Sequence, residues 1–146
     1  MSPATAVARA AADTLPQSST SRSFEVSFAP APACVACMRR ITAAFLDLWN
    51  VPGPLAENIV LAVSELVTNA VEHGKGGVGL RVRYPDNELR IEVTDGNPTP
   101  AKMRRAADND ASGRGLLLVT VLAHEWGVSD GGTTTWCVFR APAGRS

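Results

Sequence analysis

The amino-acid sequence predicts a two-layer α/β sandwich, and three observations carry that expectation. Two stretches, 33–49 and 54–73, repeat apolar residues at helical spacing. Four shorter segments, 24–28, 78–84, 89–93 and 133–140, alternate apolar with polar residues as half-buried strands do. A further short strand falls at 125–129, so the element order becomes β-α-α-β-β-loop-α-β-β with a hairpin at its centre.

Length and composition agree. At 146 residues the chain suffices for one domain with a real core. Apolar residues make up 45% and charged residues 19%, as in ordinary globular proteins. Fourteen Lys and Arg offset fourteen Asp and Glu, leaving no net field to draw in nucleic acid or an anionic membrane. No apolar run approaches the roughly 20 residues that cross a bilayer, and the N-terminus lacks a compact hydrophobic signal core. A cytoplasmic location is expected.

Residues 1–22 are rich in Ala, Ser, Thr, Pro and Gln with few large apolar side chains, which predicts a disordered tail. The domain is expected over 23–141, with 142–146 as a C-terminal tail. Pro30 and Pro32 end the first strand. In the first helix Val35, Met38, Ile41, Ala44, Phe45 and Leu48 make the apolar stripe, with Arg39, Arg40 and Asp47 on or near the wet side. Pro54 suits the first turn of the second helix, and Gly74, after His73, takes the position of a left-handed C-terminal cap.

Val78, Leu80, Val82 and Tyr84, then Leu89, Ile91 and Val93, make the central hairpin around Pro85-Asp86-Asn87. Thr94 to Pro100 breaks regular structure, and the polar run 101–112 is a candidate mobile lid. An apolar helix follows at 116–123. In the last strand Trp136 and Val138 share one face, Cys137 and Phe139 the other.

Cys34 and Cys37 form a C-x-x-C, and Cys137 lies far off. Three cysteines and two histidines without paired spacing make no four-ligand zinc set, and a redox motif has weak support from its context. The pair reads as reduced cysteines at a helix start.

Three polar islands interrupt the apolar elements, each at or near an element's end. On the second helix, Glu65 and Asn69 are only about 40° apart around the axis, while Ile59, Val63, Leu66, Val67 and Ala70 gather opposite. This is either a solvated stripe or a carboxylate base beside a carboxamide oxygen suited to Mg²⁺. Asp95-Gly96-Asn97-Pro98 follows a strand and is either a favoured turn or an acceptor for an amino group such as adenine's. Gly113-Arg114-Gly115 precedes a helix and is either a plain turn or an anion site at a helix N-terminus. No G-x-x-x-x-G-K-[ST] occurs, which excludes a P-loop.

Together, E-L-V-T-N-A-V-E-H-G, V-T-D-G-N-P and S-G-R-G-L-L-L-V, in this order, resemble the GHKL or Bergerat-fold ATP-binding domain of gyrase, histidine kinases and MutL. The single-domain anti-sigma-factor serine kinases are the most similar branch, and the resemblance spans about 23–141. It implies a mixed, mostly antiparallel sheet covered on one face by about three helices, with ATP and Mg²⁺ as cofactors. It further implies that Asn69 binds Mg²⁺, Glu65 is the catalytic base and Asp95 recognises adenine, with Asn97 beside it. Gly113, Arg114, Gly115 and Leu116 would hold the phosphates, under a lid at 99–112.

The implied function is an ATP-dependent protein serine/threonine kinase acting as an anti-sigma, partner-switching regulator. Its partners would be a sigma factor and an anti-anti-sigma (STAS-type) protein, without direct contact to nucleic acid or membrane; homodimerisation stays open. Two positions depart from the family pattern. Asp95-Gly96-Asn97-Pro98-Thr99 replaces D-x-G-x-G, and Ala111 stands where the best-known anti-sigma kinases tend to have a basic residue. The alternative is a nucleotide-sensing or protein-interaction module without turnover. A histidine-kinase catalytic half is disfavoured, because His73 and His124 lie inside the domain and no dimerising helical hairpin precedes it.

Overall fold

The structure, a computed structural model, describes residues 7–9, 22–97 and 118–141. Six strands form one sheet: β1 (Val7–Arg9), β2 (Arg22–Phe28), β3 (Val78–Tyr84), β4 (Glu88–Thr94), β5 (Glu125–Ser129) and β6 (Thr134–Arg140). Their order is β1-β2-β3-β4-β6-β5, and every neighbouring pair is antiparallel. Two helices, α1 (Ala33–Leu48) and α2 (Gly53–His73), the helical residues 118–122 and a 3-10 turn at Asp130–Gly132 complete the described elements. The sandwich expected from the element order is therefore present. None of the described helices is long and apolar enough to cross a membrane.

Register explains why one face of the sheet collects the helices. Phe24 pairs with Val82, Val82 with Ile91 and Ile91 with Cys137, so one row of side chains points to the same side. All four are buried, as are Val26, Leu80, Leu89 and Val93. Against them α2 sets Ile59, Val63, Leu66, Val67 and Ala70, the side the sequence assigned to the core. Phe24 stacks on Phe45 at 4.5 Å between ring centroids, and Trp49 bridges to Tyr84, tying β2, α1 and β3 together.

Several details correct the sequence expectations. Val7–Arg9 pairs with Glu25–Ser27, within the segment expected to be disordered. Backbone pairing to an open sheet edge needs no large apolar side chain, so composition gives no sign of it. In α1 the buried set is Cys34, Met38, Thr42 and Leu46, an i, i+4 row, whereas Leu48 is 69% exposed. Leu48 lies two residues, about 200°, beyond Leu46 and so faces away. Thr42 is fully buried and its hydroxyl makes no hydrogen bond among the described residues. Thr42→Val is accordingly expected to stabilise the fold by about 1 kcal/mol in urea denaturation, by removing that desolvated hydroxyl.

The left-handed cap also moves. Asn50 has φ 59°, its N–H bonds to the Asp47 carbonyl, and the Val51 N–H bonds to that of Leu46. This is a Schellman closure of α1, at a residue type that tolerates αL. Gly74, by contrast, is extended (φ −81°, ψ −175°), so its lack of a side chain must serve another purpose.

On the opposite face of the sheet Glu92 gathers three guanidinium groups: Arg90 at 2.8 Å, Arg83 at 3.0 Å and Arg81 at 3.5 Å. Arg90 also lies over the Trp136 ring, 4.5 Å from its centroid. Burial alone would raise the Glu92 pKa, but the Arg90 hydrogen bond and the charges of Arg83, Arg90 and Arg81 outweigh it and hold the carboxyl below its usual range. A depressed folded-state pKa contributes stability above the unfolded value, lost as pH falls through the folded one. Glu92→Gln should therefore cost about 1 kcal/mol at neutral pH, with the difference from wild type vanishing in acid. Equal losses at both pH values in denaturant titrations would refute the electrostatic account.

Candidate functional site

Those expected site residues that the structure describes sit along one side of α2 and on the turn that receives its C-terminal end. Glu65 and Asn69 are both half-buried, one turn apart on that helix. Burial pushes the Glu65 pKa up, the nearby Glu72 carboxylate pushes it further, and Arg39 on α1 partly offsets them. A carboxylate raised in this way binds a proton more readily than one in water, which is the property a general base needs.

Past Asn69 the helix ends against residues 95–97. Asp95 and Asn97 are among the few buried polar residues, at 6% and 9% exposure. The Asp95 N–H bonds to the Thr133 carbonyl at 3.0 Å, anchoring the turn to the loop before β6. The Asn97 N–H donates to Asp95 Oδ1 at 2.6 Å, and its side-chain amide donates to the His73 carbonyl at 2.7 Å. The second bond satisfies a carbonyl left over at the end of α2. The Gly96 N–H adds a third tie, to the Lys75 carbonyl at 2.7 Å.

Those bonds explain Gly74. A Cβ there would lie 2.7 Å from both Cγ and Oδ2 of Asp95 and press on the Ala70 carbonyl. Glycine is thus required by close approach, not by a left-handed backbone. The sequence does not show this, because the contact joins positions 74 and 95, which meet only in the folded sheet. The Asp95 carboxylate is thereby held against the last turn of α2. As an acceptor-only group it suits a ligand that brings N–H donors.

From Glu65 to Gly74 the helix advances about 13 Å, nine residues at 1.5 Å each. The base candidate and the acceptor candidate therefore lie too far apart for one small ion and at a reach suited to an extended nucleotide. Asn97, expected beside the cofactor, uses its side-chain amide to tie the turn to the end of α2. Gly113, Arg114, Gly115 and Leu116, with the expected lid at 99–112, lie outside the described residues. Arg39 was read only as a solvent-facing residue, and no sequence signal marks its proximity to Glu65.

Cys34 is buried and Cys37 half-buried, and both are free thiols. Cys137, in the core of β6, has its thiol pKa pushed up to about 12 by burial, so it is chemically inert at neutral pH.

A protein-family model described as the histidine kinase-like ATPase domain matches residues 28–139, more than half of the chain. An uncharacterized protein of Streptomyces coelicolor is 35% identical over 75 residues, which cover 48% of this chain and 71% of that protein. The match runs from the last residue of β2 into β6 and so contains α2, its Glu65 and Asn69, and the Asp95 turn. The chain belongs to the histidine kinase-like ATPase domain family, and ATP binding is the function that this membership implies.

Proposed function

We propose that the protein is an ATP-dependent serine/threonine kinase that acts as an anti-sigma, partner-switching regulator. The observation that carries the kinase reading is the placement of half-buried Glu65 one turn before Asn69 on the helix that abuts Asp95. Phosphoryl transfer needs positioning, charge neutralisation and a base, and few groups beyond these. Mg²⁺-ATP, when bound, supplies the γ-phosphoryl group and the charge that neutralises it. Asp95 would accept a hydrogen bond from the adenine amino group. The Asn69 carbonyl oxygen is a hard ligand of the kind Mg²⁺ takes. Glu65 removes the proton of the acceptor hydroxyl.

The partner reading rests on the resemblance of the three motifs to anti-sigma kinases. Its test is incubation of the full chain with Mg²⁺-ATP and the cognate anti-anti-sigma protein, scoring phosphoserine or phosphothreonine. Binding without transfer would favour the second reading, a nucleotide-sensing interaction module. That reading has its own support in Asn97, which stands in the altered motif and pins the turn to α2. Asn69→Ala should weaken Mg²⁺-ATP about tenfold or more in calorimetry; unchanged affinity would refute the metal role.

A further inference from the structure

Glu65 belongs to a second feature that lies away from Asp95. Between α1 and α2 runs an open cleft of about 580 Å³, bounded at one end by Arg39 and Glu65 and at the other by Asp47 and Gly53. Its lining includes the short side chains of Ala43 and Ala56, which leave depth between the helices, and the apolar Val60 and Leu61. Leu61 is 37% exposed, an apolar surface offered to solvent. From Arg39 to Asp47 the cleft is about 12 Å long, enough for about four extended residues or two helical turns. Asp47, Glu57 and Glu65 face it against the single cation of Arg39, and Arg39 lies at the Glu65 end. The far end, with Asp47 and Glu57, is therefore uncompensated negative charge among the lining groups.

We propose that this α1–α2 cleft docks the acceptor polypeptide, by a segment with an apolar residue for Val60 and Leu61, a hydroxyl residue toward Glu65, and Lys or Arg toward Asp47 and Glu57. The charge of the cleft selects this occupant: a basic segment gains two ion pairs at one end, whereas an acidic one meets two carboxylates. The assignment of the segment as acceptor rests on the kinase reading. Docking itself does not, because it needs no nucleotide.

The probe is a fluorescein-labelled peptide of Leu, Ser and Lys, compared by anisotropy with its counterpart carrying Glu for every Lys. The full chain should prefer the basic peptide by about tenfold at low salt, with the preference shrinking as salt rises. Ala43→Trp, which fills the cleft from an exposed position, should weaken the basic peptide about tenfold. Asp47→Lys with Glu57→Lys should reverse the preference, and neither variant should alter ATP affinity. Equal binding of both peptides, or indifference to Ala43→Trp, overturns the proposal. If the basic peptide docks as described but no phosphate is transferred, the cleft stands and the kinase reading falls. If an anti-anti-sigma protein is phosphorylated equally by wild type and Ala43→Trp, the kinase reading stands and the cleft is not its docking site.

Discussion

Glu65→Gln is expected to lower phosphoryl transfer by about 10²–10⁴-fold while leaving Mg²⁺-ATP affinity within about twofold of wild type. Glutamine keeps the size and the hydrogen-bonding reach of the side chain but cannot take a proton. A second readout separates this from a structural role. The Glu65 pKa is raised, first by burial and then by Glu72, so the fold disfavours its charged form. For a carboxyl with a raised folded-state pKa, the stabilising contribution is present below the unfolded value and lost as pH rises through the folded one. The neutral amide should therefore make the protein slightly more stable than wild type at neutral pH, and the gain should fade in acid. Loss of transfer together with this gain identifies a carboxylate kept for chemistry at some expense to stability. Glu65→Gln that loses stability at neutral pH, or keeps full transfer, would remove Glu65 from the role of base.

The sequence made α2 legible because its two signals reinforce one another. The apolar residues 59, 63, 66, 67 and 70 fix which side is buried, and the half-buried Glu65 and Asn69 then stand out on the other. The alternating strands β3 and β4 were equally clear, since one buried face fixes register. The phase of α1 was less clear. Its buried row includes a cysteine and a threonine, whose burial depends on what packs above them, and so Thr42 was missed and Leu48 misplaced. The three-residue β1 carries no pattern long enough to read. In the site, residue types could be recognised but not the reasons for them. Gly74 fits a helix cap as well as it fits a steric gap, and nothing in the sequence pairs Asn97 with the His73 carbonyl. Only the pairing that brings residue 95 under residue 74 decides between these.

Gly74→Ala provides the sharpest test of that geometry. The added methyl would meet the Asp95 carboxylate at 2.7 Å on one side and the Ala70 backbone carbonyl on the other. A flexible side chain could turn away, but the Ala70 carbonyl is part of α2 and Asp95 is tied at its N–H to Thr133 and at Oδ1 to Asn97. Either the last turn of the helix must lift or the Asp95 turn must slide, and each movement breaks the Asn97–His73 and Gly96–Lys75 hydrogen bonds. Overpacking of this kind costs about 1–3 kcal/mol, and the two strained hydrogen bonds bring the expected loss to roughly 3 kcal/mol. Because either movement changes where Asp95 sits against α2, ATP affinity should fall by more than about tenfold, beyond what partial unfolding explains at low temperature. Gly79→Ala is the matched control: it adds the same methyl on β3 where nothing lies within 4 Å, and it should be close to neutral in both measurements. If Gly74→Ala melts earlier yet binds ATP normally, the helix end holds the fold together but does not position the carboxylate for the nucleotide. If neither stability nor affinity changes, the close approach of Gly74 to Asp95 is not what constrains this position.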